Sequence, residues 1–280
     1  MKKIVFVADF FSDQVLGGGE LNNDELINII VSKEYQVTKL NSDRINDNFI
    51  DSHPDSFYII ANFVMIPPKI LQKITTQCDY VIYEHDHKYL KNRNPAIFNN
   101  FIAPKEQVIN LTFYRNAKAV FLQSTLHKEI VFKNTGLKNL INLGGNIWSV
   151  EALNTFKKNS LIEKNNSYAI MDSLIDHKNT SDAVAFCKIK NYDFNLIKSE
   201  NYINFLEMLG KHKGLVFFPK TPETLSRIVV ESRMMGMSVI TNNMVGATSE
   251  KWYSFKGESL VDLMCEKREQ ITNKVLEFLN

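Results

Sequence analysis

Cysteine is scarce in this chain: Cys78, Cys187 and Cys265 are the three among 280 residues, odd in number and far apart. That argues against a disulfide framework or a zinc knuckle and points to a reducing compartment. Net charge is nearly absent as well, at +2, so attraction of the whole molecule to nucleic acid is not indicated. No apolar run approaches the roughly 20 residues needed to cross a bilayer. The opening MKKIVFVADFF carries an apolar run too brief for a signal peptide and reads as a first strand. A cytoplasmic location is therefore expected. Internal repeats and low-complexity tracts are lacking too. Neither a G-x-G-x-x-G fingerprint nor a P-loop lysine motif is present.

What is there belongs to a soluble globular protein: 44% apolar and 23% charged residues, in a length that suits one large domain or two ordinary ones. β-branched and aromatic runs at 4–8, 36–40, 57–61, 80–83, 118–123 and 140–143 read as buried strands. Helical patterns alternate with them, from near Glu20, after Pro67-Pro68, and from a Ser124 cap. The polar, Lys/Asn-rich residues 149–167 read as the crossing to a second domain, in which strands at 168–171 and 193–197 and a helix over 202–211 resume the alternation. Alternating β and α units with short links predict an α/β fold with parallel, doubly wound sheets. Ligands of such sheets bind beyond the carboxyl ends of the strands.

Residues 214–241, GLVFFPKTPETLSRIVVESRMMGMSVIT followed by Asn, organise the rest. A strand over 215–218 leads to Thr221-Pro222-Glu223, a good helix start because Thr caps free amides and Pro suits the first turn. Leu225, Ile228, Val229, Ser232 and Met235 recur at helical spacing as an inward face; Gly236 ends the helix, and 238–241 is a strand. Glu223 and Glu231 then lie roughly 12 Å apart along one helix and about 80° apart around it. That matches the reach of a nucleotide-diphosphate-sugar. Spacing alone does not discriminate, since Glu250/Glu258 and Glu269/Glu277 repeat the interval. The plain alternatives are a first-turn acid complementing the helix dipole and an exposed helical carboxylate.

Two further clusters stand at strand exits. Gly17-Gly18-Gly19 follows the first strand and suits either close backbone approach to a ligand or a flexible turn. Glu84-His85-Asp86-His87 follows the fourth and admits three readings: a metal site, a polar surface turn, or a ligand contact. On an extended segment the two histidines, two apart, would point the same way. A DxD-type metal motif is missing. Residues 84–138 hold nine Lys/Arg against four Asp/Glu, which fits either a basic docking face or scattered solvated charge.

PETLSRIVVESRMMGMSVIT, with GATSE at 246–250, resembles the retaining glycosyltransferases of GT-B fold that carry a Glu-x7-Glu signature, the family 4-like or group 1 transferases. The resemblance implies two Rossmann-like domains with a donor cleft between them: 1–155 on the acceptor side, 156–264 for the nucleotide-sugar, and a helix over 265–280 returning to the first. It implies retaining, metal-independent transfer from a nucleotide-diphosphate-sugar to a glycan or lipid-linked acceptor, with no other cofactor, no nucleic acid partner, and a peripheral membrane contact through the basic face. Glu223 would contact the donor sugar, with His85 or His87 facing it, and Glu231 the ribose. Lys178 and the amides of Thr224, Leu225 and Ser226 would hold the diphosphate, with Arg227 as supplementary charge and Gly18 and Gly19 beneath it. The chain departs from the family pattern in three places: Ser226 stands where a Gly is usual, Ser232 where an Ala is common, and Asp172-Ser173 where an Arg is expected. An epimerase or hydrolase on the same fold, and a degenerate transferase that only binds, remain as alternatives.

Overall fold

Strands rich in Ile, Val, Phe and Tyr are buried on both faces in parallel sheets, and two such sheets form here. The computed structural model describes residues 3–279. The first sheet has the order β2-β1-β3-β4-β5-β6, all parallel: β1 (Lys3–Ala8), β2 (Gln36–Asn41), β3 (Phe57–Ile60), β4 (Asp79–Tyr83), β5 (Val120–Leu122) and β6 (Leu140–Asn142). Helices α1 (Gly18–Ser32), α2 (Asp47–Asp51), α3 (Pro68–Gln77), α4 (Leu111–Asn116) and α5 (Thr125–Thr135) connect them. Ser124 caps α5 as expected, its hydroxyl accepting from the His127 amide at 3.1 Å.

The second sheet has the order β10-β9-β7-β8, again parallel: β7 (Asn165–Met171), β8 (Phe194–Ile197), β9 (His212–Phe217) and β10 (Ser238–Thr241). Its helices are α6 (Val150–Ser160), α7 (Thr180–Ile189), α8 (Tyr202–Leu209), α9 (Arg227–Met234) and the long α10 (Glu258–Leu276). The stretch 149–167, expected as a polar crossing, contains α6. Ser149 caps it at 3.1 Å from the Ala152 amide, and Ala152, Leu153 and Phe156 go into the second core, so its polar composition is one face of an amphipathic helix.

The chain divides into one unit of residues 1–147 with 268–280 and another of 148–267. Each has its own core. Trp148, Phe156, Leu215, Val229 and Met264 share the second, while Ile271, Val275 and Leu279 join Ile4, Phe6 and Phe57 in the first. No described helix is long and apolar enough to cross a membrane.

Candidate functional site

In the second unit the chain moves from β7 outward to β8 and then back past β7 to β9, so the strand order reverses between β7 and β9. The loops leaving the carboxyl ends of those two strands border the crevice where doubly wound sheets take ligands. The loop after β7 carries Lys178 at the end of a short 3-10 turn, and the loop after β9 carries Glu223. They meet in an ion pair, Lys178 Nζ to Glu223 Oε1 at 2.7 Å, with both side chains mostly buried. Asn179 ties the same loops together, donating to the Phe218 carbonyl at 2.8 Å.

Glu223 is not on the helix. Its amide donates to the Met244 carbonyl at 2.8 Å and its carbonyl accepts from Gly246 at 2.9 Å, a bridge that holds 223–225 extended beside the 244–247 segment. That pairing overrides the helix start at Thr221-Pro222, and α9 begins only at Arg227 with Ser226 as N-cap. The distance and angle expected for two carboxylates on one helix therefore do not apply. Of the expected inward face, Val229, Ser232 and Met235 are buried, Ile228 is half-buried, and Leu225 is buried but stands ahead of the helix; Gly236 takes φ 79° behind it.

Glu231 is 2% exposed, which rules out the exposed helical carboxylate. Its Oε1 accepts from the Trp148 indole at 2.9 Å and the Tyr202 hydroxyl at 2.6 Å, and lies 3.3 Å from Arg227 Nε. The Arg227 guanidinium stacks 4.6 Å over the Trp148 ring and donates to the Tyr202 hydroxyl at 3.2 Å. The Glu231 carboxylate is thus enclosed by two hydrogen-bond donors and an arginine one turn away on the same helix, the partners a buried acid needs. Arg227 is thus engaged by Glu231 and Tyr202. Burial pushes the Tyr202 hydroxyl far above its ordinary pKa, so it stays a donor.

In the first unit the order reverses between β1 and β3. Gly17–Gly19 runs from the β1 exit into α1, and Glu20 folds back over it, so that a Cβ on Gly17 would lie 2.1 Å from its Oε2 and turn that flexible carboxylate aside. Burial raises the Glu20 pKa, with Asp9 and Asp24 adding to it. A Cβ on Gly19 would meet the His85 ring at 3.5 Å, so this loop and the β4 exit come together. His85 Nε2 pairs with Asn23 Oδ1 at 2.6 Å and its Nδ1 with the Gln123 side-chain amide nitrogen.

His87 goes elsewhere. The backbone bends at 85–86 rather than staying extended, so the two rings diverge: His87 is 2% exposed, edge-on to His127 and Tyr89, with Nδ1 3.2 Å from the Tyr89 hydroxyl. Glu84, which no spacing singled out, is fully buried and takes Lys88 Nζ, the Tyr114 hydroxyl and the Asp86 amide, the last at 2.8 Å. Burial raises its pKa while Lys88 opposes the rise. Trp148, Tyr202, Asn23 and Gln123 carry no signal in the sequence, being distant there from the groups they hold. Among the described residues no group of three or more His, Cys, Asp or Glu side chains is placed to hold a metal ion.

No protein-family model and no curated protein matches the chain. Solved structures do. HepE of Anabaena, in complex with UDP and glucose, gives a TM-score of 0.54 at 13% identity over 100% of this chain and 95% of that one. An alpha-glucosyltransferase in complex with UDP gives 0.54 at 15% over 100% and 95%. WaaG, a glycosyltransferase involved in lipopolysaccharide biosynthesis, gives 0.55 at 10% over 99% and 93%. Likeness at such identities defines the fold: two Rossmann-like α/β units of the GT-B type, spanning the whole chain.

Proposed function

We propose that the chain is a glycosyltransferase that takes a sugar from a nucleotide-diphosphate-sugar and passes it, with retention and without metal, to a glycan or lipid-linked acceptor. The observation that carries this reading is the Lys178–Glu223 pair at the strand-order reversal of the second unit, beside the start of α9. Lysine neutralises phosphate as a point charge, helix amides favour an anion, and a carboxylate accepts from sugar hydroxyls. In this reading Lys178 turns from Glu223 to the diphosphate, the amides of Thr224, Leu225 and Ser226 complete the phosphate site, and Glu223 takes the sugar. Glu231, with all three of its partners on Oε1, offers Oε2 to the ribose. Gly18, Gly19 and His85 line the other loop set. The leaving diphosphate is stabilised by preorganised donors rather than by an ion. UDP in two of the similar structures makes it the first nucleotide to try.

The test is a thermal-shift panel of UDP, GDP, ADP and CMP with their sugar conjugates, followed by a donor-consumption assay. A ligand at about 100 times its Kd stabilises the folded protein by about 2.7 kcal/mol. One nucleotide is expected to raise Tm, and Lys178→Ala to abolish the rise. Silence across the panel at millimolar concentration sinks the reading. A second reading, nucleotide binding without turnover, is favoured by the hydrogen bonds that occupy both His85 ring nitrogens. It predicts the shift with no donor consumed.

A further inference from the structure

Ser226 is in a place that suits neither its backbone nor its side chain. It caps α9 at φ 75°, ψ 88°, in the left-handed half of backbone space where an L side chain is strained and glycine is at ease. A serine at an N-cap normally recovers such costs by accepting from a first-turn amide. This one does not: its side chain makes no capping bond. Its Oγ is enclosed by protein, the residue being 5% exposed, and it has no hydrogen-bond partner. A hydroxyl without a partner in a buried place is destabilising in its own right. Glycine would remove both penalties at once.

The unmet donors are not confined to the hydroxyl. Among the described residues the amides of Leu225 and Ser226 likewise meet no acceptor, because the 223–225 segment pairs with 244–247 through Glu223 N–H and through the Glu223 and Leu225 carbonyls. Three donors with nothing to bond, two amides and a hydroxyl, stand at the positive end of an eight-residue helix. The Lys178 ammonium is held by Glu223, three residues before Ser226.

We propose that the Ser226 hydroxyl is a phosphate-binding donor, a specificity-determining group that favours a phosphorylated ligand at the start of α9 at the expense of stability without one. The inference rests on the nucleotide-sugar reading and adds a side-chain contact to it. A small shift of the α9 entrance brings the hydroxyl to a phosphate oxygen, where an anionic acceptor makes the hydrogen bond stronger than a neutral one.

The experiment compares the wild type with Ser226→Gly and Ser226→Ala, measuring Tm without ligand and the affinities for UDP and for uridine by calorimetry. Glycine relieves strain and removes the hydroxyl; alanine keeps the strain and removes only the hydroxyl. Both variants are expected to bind UDP about tenfold or more weakly, with uridine affinity unchanged, and the glycine variant to melt higher than the wild type. UDP and uridine weakened together would mark a general packing defect and overturn the phosphate contact of Ser226. Wild-type UDP affinity in both variants overturns the role of Ser226 and leaves the nucleotide reading standing. A wild type that binds none of UDP, GDP and ADP overturns both.

Discussion

His127 is the residue whose environment most clearly dictates a protonation state. Its Nδ1 accepts from the Gln123 backbone N–H at 3.3 Å and its Nε2 pairs with the Asp86 carbonyl at 3.1 Å, an arrangement that only the neutral Nε2–H ring satisfies. Burial, and then the neighbouring His87, hold its pKa well below the ordinary histidine value. In the unfolded chain it titrates near 6.5. Below that pH the unfolded state binds a proton the folded state refuses, so stability is level above about pH 7 and falls on acidification. The slope from this group is at most about 1.4 kcal/mol per pH unit, until the depressed folded value is reached. Denaturant titrations at pH 7, 6 and 5 are expected to lose this acid limb in His127→Gln, at some uniform cost in stability. An unchanged slope in the variant would assign the limb to other groups.

Among the elements, α9 shows what was legible in the sequence and what was not. Its apolar face, its end at Gly236 and both flanking strands follow from spacing and local propensity, and those were readable. Its start was not, because the bridge between Glu223 and the 244–247 segment is a tertiary pairing with no local signature. The same limit hid the burial of Glu231: Trp148 and Tyr202 lie 83 and 29 residues from it in sequence, and only the packing of the 148–267 unit brings them to it. It also separated His85 from His87, since the bend after β4 cannot be inferred from two histidines at an interval of two. At the other end of α9, Gly236 sits at φ 79° with the Ser160 carbonyl 3.5 Å from where a Cβ would lie, so space is adequate and strain is the issue. Gly236→Ala is expected to lose about 1–2 kcal/mol, read as a lower urea midpoint with unchanged m-value. A midpoint within error of the wild type would mean the turn relaxes out of the left-handed region.

At the scale of the whole molecule, the chain leaves its first unit at residue 147 and returns to it at 268, so the second unit is continuous in sequence and the first is not. The returning segment is an integral part of the first core. Ile271, Val275 and Leu279 are each at most 1% exposed among residues of β1, β3 and α1, and Phe278 packs edge-on against Phe121 at 5.7 Å. Arg268 pairs with Glu25 at 2.9 Å and Lys33 with Glu269 at 2.7 Å. The second pair is exposed and contributes little; the weight lies with the apolar groups. Burial of three large aliphatic side chains is worth about 1.5–3 kcal/mol each, together comparable to the roughly 5–15 kcal/mol that keeps a domain folded. A chain ending at Lys267 is therefore expected to lose the first unit and keep the second. Hydrogen exchange resolves the two: amides of β1 and β3 should exchange freely in the truncated chain while those of β7 and β9 retain protection. Protection of β1 at the full-length level would show that the returning helix covers a core already complete, whereas loss of protection in β7 and β9 as well would make the two units one cooperative system.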